Sequence, residues 1–290
     1  MQDFEGKTAV VTGAGSGIGA GMARVFARAG MNVAVCDIRA DAAAATAHEV
    51  EAAGGRAVAL TVDVSDHDSV RDAADGAERA FGRIHVACNN AGVTMMGVPL
   101  EALQPVDWDW IIGVNLRGVI HGIEVFTPRI RRHGEAGHVV NTASIGGFRV
   151  RAGWNGGAYA MTKYGVVALS EALEQEVAGS SIGVSVLCPM AVNTAIPFAA
   201  RARPGRFGGP FTRPEDHFQA ELLRDGLHPD VVGERLLDAI RTGEFFVFTH
   251  PSTRAWIEER HGRLMEAYDA AERWWSRRPP ATDQAPARMP

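Results

Sequence analysis

Short runs of apolar, β-branched residues alternate along the chain with longer Ala-rich segments whose apolar positions recur every three to four residues. The runs predict strands near residues 7–12, 32–37, 57–62, 84–89, 137–143 and 182–188. The longer segments predict helices near 17–29, 41–53, 66–81, 107–132 and 158–178. Stretches such as TAVVT and NVAVCD are apolar throughout rather than alternately, the pattern of strands covered by helices on both faces. The chain therefore reads as an α/β protein, a single doubly wound domain on a parallel sheet.

After residue 189 the rhythm breaks. The stretch AVNTAIPFAARARPGRFGGPFTRPEDHF mixes Pro, Gly and Arg with isolated aromatics and holds no sustained period, which predicts a mobile lid or a disordered insertion over about 195–228. Regular pattern resumes in a helix near 229–242, a strand in EFFVFTH and a polar amphipathic helix over about 252–276 that carries Trp256, Trp274 and Trp275. One domain is expected over 1–276, with a flexible tail over 277–290.

Composition changes the picture little. With 290 residues, 46% hydrophobic and 22% charged, the chain has enough apolar material for a large core. A net charge of -5 and a pI near 6.1 give no basic footprint for nucleic acid. The N-terminal MQDFEGK lacks the apolar centre of a secretory signal, and no apolar run approaches a bilayer span, so a cytoplasmic protein with no membrane partner is expected. Cys36, Cys88 and Cys188 each lie inside a strand-like run and read as small buried hydrophobes. The ten histidines show no zinc-like spacing, and no metal is expected.

Candidate chemistry begins at VVTGAGSGIGAG, which follows the first strand directly and opens the first helix. Amides at a helix start favour an anion, and the glycines at 13, 15, 17, 19 and 21 let a pyrophosphate approach without a Cβ in the way. Gly13, Ser16, Gly17, Ile18 and Gly19 are the candidate contacts. Asp37 closes the second strand twenty residues after Gly17, where a carboxylate takes the ribose hydroxyls of a dinucleotide and repels a 2′-phosphate. That favours NAD over NADP.

The second focus is YAMTKYG at 159–165. On a helix Tyr159 and Lys163 stand i to i+4 and share one face, while Tyr164 turns away. Neighbouring positive charge stabilises a phenolate, so this pair is a candidate acid/base centre.

Together and in this order, TGAGSGIG, DV at 63–64, NNAG at 89–92, Asn115, Ser144 and YAMTK resemble the short-chain dehydrogenase/reductase family over roughly residues 5–195. The resemblance implies a Rossmann fold with a substrate lid. It makes Tyr159 the general acid/base, has Ser144 hold the substrate oxygen, and has Lys163 lower the Tyr159 pKa while binding the nicotinamide ribose. Asn115 completes a proton relay through water to the lysine. Asp63 and Val64 meet the adenine, Asn90 and Ala91 line the cleft, and the run from Pro189 through Val192 to Thr194 holds the carboxamide. Homodimers or homotetramers are implied. Where the family carries Gly after that Pro, this chain has Met190, expected to narrow the nicotinamide pocket.

The substrate pocket is expected from residues 144–148 with the region of Trp154, Met95, Met96 and Met190, and from Phe198, Phe207 and Phe211 of the lid, an apolar and aromatic set. DWDWIIGVNLRGVIHGIEVFTPRI and RPGRFGGPF resemble the Cα-dehydrogenases of bacterial lignin-dimer breakdown, which oxidise benzylic alcohols with NAD. The resulting expectation is an NAD-dependent dehydrogenase of an aryl or bulky hydrophobic secondary alcohol. Steroid or terpenoid alcohols and 3-ketoacyl thioesters are the alternatives, and a scaffold without turnover is disfavoured by the intact catalytic set.

Overall fold

The computed structural model describes residues 1–278; of the expected tail, everything from 279 on lies outside the described residues. It groups into two compact units, the first Met1–His250 and the second beginning at Pro251.

In the first unit the strands are β1 (Thr8–Thr12), β2 (Asn32–Asp37), β3 (Arg56–Thr61), β4 (Val86–Asn89), β5 (Gly137–Thr142), β6 (Ile182–Cys188) and β7 (Phe246–Phe248). They form one sheet in the order β3-β2-β1-β4-β5-β6-β7, every neighbouring pair parallel. The order reverses between β1 and β4. At such a switch point the loops at the carboxyl ends part and leave a crevice.

The helices are α1 (Gly17–Arg28), α2 (Ala40–Ala52), α3 (His67–Phe81), α4 (Pro105–Ile112), α5 (Gly118–His133), α6 (Gly157–Glu176), α7 (Pro214–Leu223) and α8 (Pro229–Thr242). β1, β2, β4 and β5 are buried at every residue, as their unbroken apolar runs require. One face packs Phe26 of α1, Val50 of α2 and Leu236 of α8 into a core with Val11, Val33 and Val35. The opposite face packs Val70 of α3, Phe126 of α5 and Leu173 of α6 against Val10, Ala34 and Val139. Each large side chain so buried contributes about 1.5–3 kcal/mol. α1 and α8 touch through small residues: a Cβ on Gly21 would stand 2.5 Å from the Pro229 carbonyl oxygen, so this crossing excludes any side chain there.

Two regions differ from the sequence expectation. The single helix expected over 107–132 is α4 and α5 joined by a π turn over Gly113–Arg117, an extra residue per turn in the segment that carries Asn115. The lid is not structureless. It holds 3-10 turns at Ile196–Ala202 and Gly205–Phe207 and then α7. Its ends are drawn together where Leu227 N–H donates to the Ala191 carbonyl and Asn193 N–H to the Leu227 carbonyl, both at 2.9–3.0 Å.

In the second unit a further helix, α9 (Arg254–Ser276), carries no buried residue. No helix among the described residues is long and apolar enough to cross a membrane.

Candidate active site

The carboxyl ends of β1, β2, β4, β5 and β6 converge on a cleft of about 480 Å³ that runs from Asp37 past the glycine turn to Tyr159 and beneath the lid. Its floor at one end is the β1–α1 turn. Ser16 begins α1 in extended conformation but makes no capping bond with its side chain, which leaves the first amides of the helix available to an anion. Gly13 turns the chain with φ +64°, and a Cβ there would stand 2.8 Å from the Ala91 Cα. One on Gly19 would stand 2.3 Å from the Gly13 carbonyl oxygen. The sequence thus has glycine where the turn folds tightly upon itself and upon β4.

Asp37, 8% exposed, is fixed before any ligand arrives. One carboxylate oxygen accepts from the Gly15 N–H at 2.9 Å and the other from the Arg39 N–H at 3.0 Å. Thr12, which the sequence reading passed over, ties β1 to the NNAG loop. Its hydroxyl accepts from the Asn90 and Ala91 N–H groups at 2.9 and 3.1 Å, and its carbonyl accepts from the Asn90 side chain at 2.9 Å. A hydroxyl closing a buried strand was the one available signal. Ser16, Gly17, Ile18, Asp63, Val64, Pro189 and Thr194 also line the cleft.

Gly19, Asn115, Ser144 and Val192 are absent from its walls. Val192 is instead buried in the core with Leu236. Asn115 is fully buried. Its amide oxygen accepts from the Val93 N–H at 2.8 Å, and its amide nitrogen donates to the Val93 carbonyl at 2.9 Å and the Thr162 hydroxyl at 3.1 Å. Its role here is to clamp the loop after β4 at Val93. A Cβ on Gly92 would lie 3.4 Å from the Lys163 Nζ and 3.5 Å from the Asn115 amide oxygen, so both groups flank Gly92.

Tyr159 and Lys163 lie one turn apart on α6, both buried. Lys163 Nζ donates to the Thr142 carbonyl at 2.8 Å. Burial pushes this ammonium down to about 8, against a weaker opposing pull from Cys188. The Cys188 thiol is itself pushed up to about 12 by burial, so it is uncharged at neutral pH and burial governs the lysine. The Ser144 hydroxyl donates to the Pro189 carbonyl at 3.3 Å and accepts from the Gly146 N–H at 3.0 Å. A Cβ on Gly146 would be 3.5 Å from both this hydroxyl oxygen and the Tyr159 ring edge, so the three groups adjoin.

Lys163 Nζ stands 5.6 Å from the Tyr159 ring centroid. Burial raises the Tyr159 pKa above the ordinary phenol value, and the hydrogen bond with Ser144 opposes this only in part. The resting tyrosine is therefore a neutral acid.

The aromatic wall also differs. Trp110 of α4, together with Val93, Val114 and Phe198, faces the cleft. Phe148 instead packs on Phe246 and Phe248 of β7, with ring centroids 5.9 and 5.4 Å away. Phe207, Phe211 and Met95 lie in the cluster behind Trp110. Met190 does not line the cleft, so the expected narrowing is not found. Behind Trp110 the Arg203 guanidinium is held between two rings, 5.0 Å from Trp110 and 5.1 Å from Phe211, and donates to Asp107 at 2.7 Å. Among the described residues no group of three or more His, Cys, Asp or Glu is arranged to hold a metal ion.

The family model for short chain dehydrogenases matches residues 7–204. A C alpha-dehydrogenase of Sphingobium sp. (strain NBRC 103272 / SYK-6) is 33% identical over 271 residues, covering 92% of this chain and 88% of its own. A 1-deoxy-11-beta-hydroxypentalenate dehydrogenase of Streptomyces exfoliatus is 32% identical over 284 residues, covering 96% and 93%. Among solved structures, a short chain dehydrogenase/reductase from Burkholderia phymatum in complex with NAD superposes with a TM-score of 0.87 at 34% identity, covering 98% of this chain and all of that one.

Proposed function

This chain belongs to the short-chain dehydrogenase family and is an oxidoreductase that acts on alcohols or ketones with a nicotinamide dinucleotide; from that premise we propose that it oxidises a bulky, hydrophobic secondary alcohol with NAD, Tyr159 carrying the proton. The observation that carries this reading is that Tyr159 and Lys163 line one end of a cleft walled by Trp110, Val93 and Phe198, with the Ser144 hydroxyl adjoining Tyr159 from outside that wall. A benzylic alcohol of the β-aryl-ether type fits that wall best, and the relative named C alpha-dehydrogenase supports it.

The residues present fit the dinucleotide. The uncapped start of α1 receives its diphosphate, the Gly13–Gly19 turn gives it room, and Asp37 takes the adenosine ribose hydroxyls. When bound, the cofactor supplies a hydride acceptor and a positively charged ring. Positive charge beside the Tyr159 phenol would lower its pKa, so that it releases its own proton to solvent, and the phenolate so formed would take the proton of the substrate hydroxyl. The Ser144 hydroxyl, held by the Gly146 N–H, would turn its one proton from the Pro189 carbonyl to the substrate oxygen. Lys163, with Asn115 on the other side of Gly92, would begin the path by which the proton leaves.

A cytoplasmic homodimer or homotetramer is part of the same reading, with α4–α5 and α6 pairing across a two-fold axis. Light scattering on the purified chain reports its mass directly.

The test is a panel of aryl, steroid and terpenoid alcohols and ketoacyl thioesters with NAD and NADP, followed by the absorbance of the reduced nicotinamide. Highest kcat/KM is expected for aryl secondary alcohols with NAD. A thioester turning over best overturns the substrate assignment. Replacing Asp37 by Ala is expected to relax the NAD preference, and an unchanged preference removes Asp37 from the ribose site.

A further inference from the structure

The lid touches the far end of the cleft from the reacting centre. The 3-10 turn Gly205–Phe207 brings Arg206 to Asp63, 143 residues away in sequence, where its Nη2 donates to one carboxylate oxygen at 2.5 Å and to the Ser65 hydroxyl at 2.8 Å. The other oxygen of Asp63 accepts from the Ser65 N–H at 3.0 Å and the Ser65 hydroxyl at 2.6 Å, a local loop of bonds two residues long. One lid nitrogen thus completes the set of donors that fixes this carboxylate. Phe207 seats the turn: a Cβ on Gly113 would lie 3.3 Å from Ser65 Cβ and 3.5 Å from the Phe207 ring. The saddle is formed by the Asp63 loop and by the first residue of the π turn that carries Asn115.

Asp63, unlike Arg206, lines the cleft with Val62, Val64, Ile38 and Asp37. Asp37 has the Arg39 guanidinium 3.9 Å away, and Arg206 gives Asp63 a cationic partner of its own, so neither carboxylate meets an entering diphosphate uncompensated. We propose that Arg206 is a positioning residue of the dinucleotide site, holding the Asp63 carboxylate for the adenine base and tying the lid to occupancy of that pocket. This rests on the reading of Asp63 as the adenine contact.

The test uses the full chain and three probes: NADH, ADP-ribose, which keeps the adenine, and nicotinamide mononucleotide, which lacks it. Arg206→Gln is expected to weaken NADH and ADP-ribose about threefold to fivefold, the scale of a well-oriented exposed ion pair, and to leave the mononucleotide unchanged. The loss shrinks in about 1 M salt. Arg206→Lys keeps binding within about twofold, because a single nitrogen makes both bonds, and an ion pair is worth this little at an exposed position. Saturating ADP-ribose protects the lid arginines from trypsin in the parent chain but not in Arg206→Gln. Equal weakening of all three probes, or none of any, overturns the proposal. If Arg206→Gln has no effect while Asp63→Asn weakens ADP-ribose, the tie to the lid falls and the adenine assignment stands. If Asp63→Asn also has none, the adenine assignment falls and the tie with it.

Discussion

The nucleotide half of the cleft and the lid are held by different physics. Between β1 and the NNAG loop the site consists of backbone groups, glycines and strand-end side chains of a sheet whose central strands are fully buried. The lid over 195–228 is held by arginines: Arg203 buried against Asp107, Arg206 half-exposed against Asp63, and Arg213 against Asp216. In the first region position is set by covalent geometry and close packing, which have no soft direction. In the second it is set by a few ion pairs, worth little where water reaches them and costly to break where it does not. A rigid cradle for the cofactor therefore faces a cover with one exposed tie, at Arg206, and one buried anchor, at Arg203.

The sharpest contrast is chemical. Tyr159→Phe removes the acid/base and is expected to lower kcat by about 10²–10⁴ while leaving NADH affinity as it was, measured by fluorescence titration. In the cradle, Gly19→Ala forces a Cβ to 2.3 Å from the Gly13 carbonyl oxygen and is expected to weaken NADH binding by at least about tenfold, a displacement costing on the order of 1–3 kcal/mol. The matching change in the lid, Gly205→Ala, has nothing within 4 Å of its added Cβ and leaves binding within about twofold. Similar losses at the two glycines would erase the distinction.

Arg203→Met tests the lid's buried anchor. It unseats Trp110 from behind and leaves Asp107 without its partner, so a several-fold rise in KM for the alcohol is expected, with kcat little changed and about 1–3 kcal/mol less stability by urea denaturation. Loss in kcat alone would place Arg203 in the chemistry instead.

The smallest effect has an unusual sign. Lys163 titrates at about 8 when folded against 10.5 for an ordinary lysine. Between these values the unfolded chain binds more protons, so stability rises with pH across that window, and at pH 7 the buried charge costs roughly 3 kcal/mol. Lys163→Met forgoes that cost and loses one hydrogen bond to Thr142. The variant is expected to be inactive yet about 1–2 kcal/mol more stable at pH 7. The advantage fades as pH rises through 8 towards 10.5, as thermal midpoints across pH will show.

What was legible in the sequence follows the same division. Continuous apolar strands and the glycine spacing announce the cradle because period and local sterics act within a few residues, and Tyr159 with Lys163 share a face by helix geometry alone. The π turn was not legible. GVNLR continues an amphipathic pattern, and only the clamp of Asn115 on Val93, 22 residues away, marks the place where the helix widens. The lid's 3-10 turns, seven and three residues long, are too short to establish a period. Nothing local in the sequence sets Trp110 apart from its helix or Arg206 from the other lid arginines; the fold alone turns Trp110 to the cleft and brings Asp63 to Arg206.

The resting Tyr159 is a neutral phenol and becomes a base only in the loaded cleft. Ultraviolet difference titration of the parent chain against Tyr159→Phe, with and without NAD, isolates this one phenol. Ionisation is expected above the ordinary phenol value without NAD and below it with NAD bound. Ionisation already near neutrality in the cofactor-free chain, or the same in both states, would contradict it.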